Sequence, residues 1–124
     1  MIYLLDTNIC ILLLATKADR LRARVLDCVE GDLAVSSITF AEIAYGSRNG
    51  KMPPLRVLEA FLRDVPPVPF DTAAARQYAE LPFRRGSFDR LIAAHALALD
   101  LTLVTNNERD FADIPNLRVE NWTL

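Results

Sequence analysis

Cysteine, histidine and lysine are scarce in this chain, and each shortage removes a class of chemistry. There are two cysteines and one histidine in 124 residues, and the only lysines are Lys17 and Lys51. Cys10 and Cys28 have neither CxxC nor Cys/His metal spacing, which excludes a conventional zinc site and argues against a disulfide framework. Two buried, reduced thiols are expected. His95, alone among alanines, has no activated serine or cysteine to serve, so no catalytic triad exists. It reads as a hydrogen-bonded core residue. Neither GxxxxGK[ST] nor GxGxxG occurs, which removes the phosphate-cradling and dinucleotide fingerprints. The longest uninterrupted apolar run, residues 9–15, is far short of a membrane span. No basic residue precedes the first apolar stretch and Asp6 interrupts it, so no signal peptide is read. The expected location is the cytoplasm, without a membrane partner. A net charge of −2 argues against nonspecific coating of nucleic acid, although local patches or bound metal can still set the field.

What is present is a globular composition, 52% hydrophobic and 24% charged, long enough for one core. Residues 1–124 are expected to form a single domain. Residues 2–5 read as a fully buried strand and 9–14 as the helix after it. Residues 18–29 show helical spacing, 33–36 form a second short strand, and 39–47 are helical, ended by Gly46 and Asn49-Gly50. Pro53-Pro54 opens a helix striped by Leu55, Leu58, Phe61 and Leu62. Residues 65–70 read as a strand whose prolines demand an edge position. Asp71 caps a helix over 72–81, and 82–88 form a loop. Residues 89–99, apolar nearly all round, predict a buried helix. Residues 101–104 and 117–120 complete the strands. Alternation of this kind predicts an α/β fold, a mostly parallel sheet with helices on both faces.

Three strands end in polar residues: Asp6, then Ser36-Ser37, then Thr105-Asn106-Asn107. Two helices that start near the same edge carry Glu42 and Asp89 in their first turns. The fold would therefore gather Asp6, Glu42, Asp89 and Asn107 at one end of the sheet, where open α/β sheets bind ligands. Three clustered carboxylates repel unless a cation neutralises them. Oxygen ligands without histidine or cysteine suit Mg²⁺, with Mn²⁺ as a substitute. Each residue also has a plainer role. Asp6 and Asp89 are good N-caps, Thr39 to Glu42 fits a capping box, and Asn107 is a good turn residue. Asp71 and Asp110 read as ordinary caps. Their shared location, rather than any single residue, points to a site.

Arg84, Arg85 and Arg90, with Thr105 at the strand end, are candidate substrate-binding residues, and Arg109 lies near the same edge. Arginines there would hold phosphates bidentately; the alternative is a solvated loop. The few surface aromatics expected do not suggest a base-stacking platform.

These pieces resemble the PIN-domain family, and specifically the VapC toxins of bacterial toxin–antitoxin pairs. The resemblance rests on Leu4-Leu5-Asp6-Thr7-Asn8, on Ser36-Ser37-Ile38-Thr39-Phe40-Ala41-Glu42-Ile43 with Tyr45-Gly46, and on Phe88-Asp89-Arg90-Leu91-Ile92-Ala93-Ala94-His95-Ala96. It continues through Leu103-Val104-Thr105-Asn106-Asn107 and Glu120-Asn121-Trp122, in order along essentially the whole chain. It implies a five-stranded parallel sheet, Mg²⁺-dependent endoribonuclease activity and inhibition by a VapB-type antitoxin. It also implies a homodimer that assembles with the antitoxin into a larger complex. The family's acidic positions fall on Asp6, Glu42 and Asp89, and its fourth, often an aspartate, falls on Asn107. Asp6 and Asp89 are the expected direct metal ligands, with Glu42 and Asn107 acting through water. The 81–87 connection is shorter than in similar toxins. The apolar helices over 9–14 and 55–62 offer a groove for an antitoxin helix or a dimer surface.

Two other readings stay open. A catalytically inert PIN-like module would use its carboxylates only as caps and act through binding. A Mg²⁺-dependent phosphatase of another α/β family would want an aspartate where Asn8 stands, and a receiver domain would want adjacent acids and a late lysine.

Overall fold

The computed structural model describes residues 1–15, 18–84 and 87–124. Five strands, β1 (Tyr3–Leu5), β2 (Leu33–Ser36), β3 (Pro67–Val68), β4 (Thr102–Val104) and β5 (Val119–Glu120), form one sheet in the order β3-β2-β1-β4-β5. Every pairing is parallel. Tyr3, Leu4 and Leu5 stand opposite Leu33, Ala34 and Val35 on one side and Thr102, Leu103 and Val104 on the other.

Side chains alternate across each strand, and the alternation sorts the core into two layers. Leu5, Val35 and Val104 face one way, packing on Ile9, Cys10, Leu13, Leu21, Ile43 and Leu58. These come from α1 (Thr7–Leu14), α2 (Asp19–Leu26), α3 (Ser37–Arg48) and α4 (Leu55–Asp64). Leu4, Ala34 and Leu103 face the other way, onto Ile92, Ala93 and Ala96. Those belong to α6 (Phe88–Leu99), which packs beside α5 (Thr72–Ala79). Helices on both faces explain why the central strands carry unbroken apolar runs. The α/β architecture expected from the sequence is thus the one observed.

Several boundaries move for local reasons. The third strand shrinks to Pro67–Val68 at the sheet edge, since Pro66, Pro67 and Pro69 lack the N–H a ladder needs. The fifth strand shortens to two residues and α2 ends at Leu26, while α1 starts two residues early, at Thr7. Between β4 and β5, Glu108–Phe111 form a 3-10 turn. Cys10 is fully buried but Cys28 only partly, so one of the two expected core thiols lies nearer the surface. His95 is a core residue as read. Its Nδ1 lies 2.8 Å from the Ser36 hydroxyl, its ring meets Phe70 edge-on, and burial lowers its proton affinity. No helix among the described residues is long and apolar enough to cross a membrane.

Strand order reverses at β1. The chain steps from β1 outward to β2 and β3, then returns to β4 and β5 on the opposite side. The crevice at the carboxyl ends of β1 and β4 is therefore the topological switch point, where open sheets bind ligands.

Candidate functional site

Asp6 and Thr105 are the first residues beyond β1 and β4, so both stand at this crevice. The backbone fixes them: Asp6 N–H donates to the Val104 carbonyl and Thr105 N–H to the Glu120 carbonyl, each at 3.0 Å. Asp6 caps α1 after all, its Oδ1 accepting from Ile9 N–H at 2.8 Å. The cap and the site are not alternatives, because one oxygen does the capping and the second remains.

Glu42 is not part of a capping box. Ser36 takes the N-cap position, its Oγ accepting from Ile38 N–H at 3.1 Å, so α3 begins earlier than the Thr39 box requires. Glu42 thereby lies in the second turn, where its Oε1 accepts the Thr7 hydroxyl at 2.7 Å. Asp89 does not cap α6 either. Ser87 does, accepting from Asp89 N–H at 3.1 Å. Both carboxylates are thus released from the duties that offered the plainer explanation.

The electrostatics tie these acids together. Burial pushes the Asp6 carboxyl up to about 6, with Asp89 and Glu42 pushing in the same direction against the Thr105 hydroxyl and the Ile9 amide. Glu42 is raised by burial and by Asp89, and lowered by Thr7. Asp89 is raised by burial and by Asp110, and lowered by Arg90. Asp89 is therefore the hub, within charge reach of acids from three other elements. Desolvated, mutually repelling carboxylates leave an unmet demand for positive charge.

Asp110 is the residue that sequence reasoning missed. Its sequence context is that of an ordinary cap, yet it is the charge that most directly opposes Asp89. Asn107, expected as the fourth site residue, donates its side-chain amide to Asp110 Oδ2 at 2.5 Å, and its own N–H goes to the Thr105 hydroxyl. Three residues after Asn107, the 3-10 turn Glu108–Phe111 brings Asp110 back over the same edge. Asn107 thus holds the Asp110 carboxylate in place.

Two of the substrate-binding expectations need correction. Arg90 is buried, 2% exposed, and one of its nitrogens lies 2.8 and 2.9 Å from the two oxygens of Asp113. That pair holds the Asp113 carboxyl below its ordinary value and leaves Arg90 no surface to offer a phosphate. Thr105 is also fully buried and braces Asp6 and Asn107 from below. Arg84 is exposed at the rim, 3.8 Å from Asp110, and Arg109 is exposed on the 3-10 turn. Arg85 lies outside the described residues.

A family model described as a PIN domain matches residues 3–117. Across 98% of both chains, the sequence is 35% identical to a protein of Shigella flexneri named tRNA(fMet)-specific endonuclease VapC. The chain belongs to the VapC branch of the PIN-domain family. Among solved structures, this PIN domain superposes on that of VapBC2 from Rickettsia felis bound to a promoter DNA fragment. There the TM-score is 0.88, at 36% identity over 98% of this chain and 99% of that one. DNA-bound VapBC from Salmonella typhimurium gives 0.84, at 33% identity over 98% of both.

PIN nucleases generally depend on a divalent metal, and the donors of this PIN domain fit such an ion. They are carboxylate oxygens without thiol or imidazole, raised by one another's charge. Among the described residues no three acidic, imidazole or thiol groups converge closely enough to hold an ion alone. That arrangement suits a hydrated ion with one or two direct carboxylates better than an all-protein cage. Thr7 supports the set from outside. Thr7→Val, similar in shape but without the hydroxyl, is expected to keep the thermal melt within a few degrees and to lower RNA cleavage by roughly 10- to 100-fold.

Proposed function

We propose that this chain is a Mg²⁺-dependent endoribonuclease toxin, restrained by a VapB-type antitoxin and acting in the cytoplasm. One observation carries the reading: three carboxylates from three separate elements lie within charge reach of one another at the sheet's switch point, each shifted in the direction that a bound cation would reverse. The relatives named ribonuclease or endonuclease VapC match along the whole chain and support the reaction class. Solved VapB–VapC complexes of similar fold support the partner.

Asp6 and Asp89 would hold Mg²⁺, with Mn²⁺ as a substitute, through the Asp6 oxygen not used for capping and the half-buried Asp89 carboxylate. When bound, the ion supplies charge for a phosphodiester and lowers the pKa of water. Glu42, raised by burial and steadied by Thr7, is suited to orient a water and accept its proton. Asp110, held by Asn107, keeps negative charge beside Asp89 and draws Arg84 to the rim. Arg84 would meet a phosphate next to the cleaved bond. Replacing it with alanine should weaken RNA binding and reduce the salt slope by about 0.7, the contribution of one phosphate contact on a single strand. An unchanged slope, measured by titration from low to high salt, would return Arg84 to a solubility role.

The half-buried apolar row from α1 and α4, including Leu12, Leu14, Leu55, Phe61 and Leu62, is suited to an amphipathic antitoxin helix. A homodimer, assembled with antitoxin into a larger complex, completes the proposed organisation.

The deciding experiment compares RNA cleavage by wild type with Mg²⁺, with chelator, and with Mg²⁺ restored. Cleavage should appear, vanish and return. A protein that stays inert while Mg²⁺ leaves its melt unchanged is an inactive binding module.

A further inference from the structure

Beside the acid cluster lies a recess of about 460 Å³ lined by Ile38, Ala41, Glu42, Tyr45 and Phe88. Its floor follows from helix periodicity. Positions 38, 41, 42 and 45 of α3 fall at i, i+3, i+4 and i+7, hence on one face. Phe88 arrives from the first turn of α6, one residue before Asp89.

The lining is largely hydrocarbon and aromatic, yet its two rings are given to solvent: Tyr45 is 75% exposed and Phe88 57%. We propose that this recess seats one nucleobase of the RNA, adjacent to the phosphodiester being cut. The proposal rests on the ribonuclease reading and names its substrate subsite.

Three features select a base over other occupants. Glu42 belongs both to the recess and to the acid cluster, so a group seated there lies beside the proposed metal site. Among the described residues, the charged group in the lining is that carboxylate, which repels phosphate and admits a neutral, planar group. Exposed aromatic rings stack on the faces of unpaired bases, the commonest way single-stranded RNA is gripped. The sequence had not suggested a stacking platform, because Tyr45 and Phe88 are 43 positions apart and only the packing of α6 beside α3 brings them to one recess. The platform also fits the charge pattern: phosphates run past Arg84 on the rim while one base turns inward.

The test uses Asp6→Asn as an uncleaving parent and a single-stranded RNA carrying 2-aminopurine beside the scissile bond mapped with the wild type. Stacking quenches that fluorophore. The parent should bind and quench it. Adding Tyr45→Ala or Phe88→Ala should abolish most of the quench and weaken binding roughly tenfold, while Tyr45→Phe restores both. Because both side chains are exposed, all variants should share the parent's melt.

Quench and affinity unchanged in both alanine variants would overturn the base subsite and leave the nuclease reading standing. Dissociation of a dimer by those variants in sedimentation, with the quench retained, would assign the recess to a second copy of the chain and overturn it as well. If the wild type cuts no RNA and the parent binds none, the nuclease reading itself fails and the subsite with it.

Discussion

Asp6→Asn lowers Mg²⁺-dependent RNA cleavage by more than about a hundredfold, beyond the usual loss from removing a supporting outer partner. At pH 8 the same variant, free of metal, melts above the wild type. Both results follow from the two oxygens of Asp6. The amide oxygen of asparagine still accepts from Ile9 N–H, so the helix keeps its cap. What disappears is a charge held in a buried place against Asp89 and Glu42. A carboxyl moved from 3.8 to about 6 represents roughly 3 kcal/mol of strain at pH 8, which the amide relieves. Asp6→Ala makes the contrast: it relieves the same charge but loses the cap, worth about 1 kcal/mol. Thermal melts of the three proteins, beside RNA cleavage assays, separate the two effects. Full cleavage by Asp6→Asn would remove Asp6 from the site.

The metal-free protein is more stable near pH 5 than near pH 8. Asp6 binds its proton more tightly in the folded chain, at about 6, than its ordinary value of 3.8. Between those values the folded state carries the extra proton, so stability falls as pH rises through the window and levels off above it. Over the whole window the loss from Asp6 alone is roughly 3 kcal/mol, about half of it between pH 5 and pH 8. Glu42 and Asp89, raised in the same sense, deepen it. Divalent metal binds the charged forms and opposes the trend. Added Mg²⁺ should therefore raise the melting temperature at pH 8 and leave it almost unmoved at pH 5, and chelation should reverse the gain. A flat pH profile without metal, or equal stabilisation at both pH values, would contradict the coupled acid cluster.

Much of this was legible because α/β proteins write their strands plainly. The apolar runs around Leu4-Leu5, Ala34-Val35 and Leu103-Val104 could only be strands covered on both faces, and their polar ends had to lie on one edge. Asp6 declared itself by interrupting hydrocarbon. Glu42 was harder, since Thr39 to Glu42 spells a capping box and only the prior claim of Ser36 on the cap dissolves it. Asp89 hid in the same way behind Ser87. Arg90 looked like a phosphate ligand because arginine is rarely buried, and nothing local announces its partner, Asp113, 23 residues away. Asp110 was invisible because its role depends on a 3-10 turn that a loop-like sequence does not signal. Local propensity thus located the edge, and tertiary competition for caps and ion pairs decided which residues work there.

The central strand has a consequence for biosynthesis. Tyr3 to Leu5 is synthesised well ahead of its second neighbour, the strand beginning at Thr102. Until that strand docks, Asp6 has no Val104 carbonyl to fix it, and Asp89 and Asp110 have no shared edge on which to meet it. Contacts this distant in sequence form late. The carboxylate edge therefore cannot assemble until that strand has been made. Any RNA near the ribosome meets the proposed site only after β4 and the turn carrying Asp110 have been synthesised and docked.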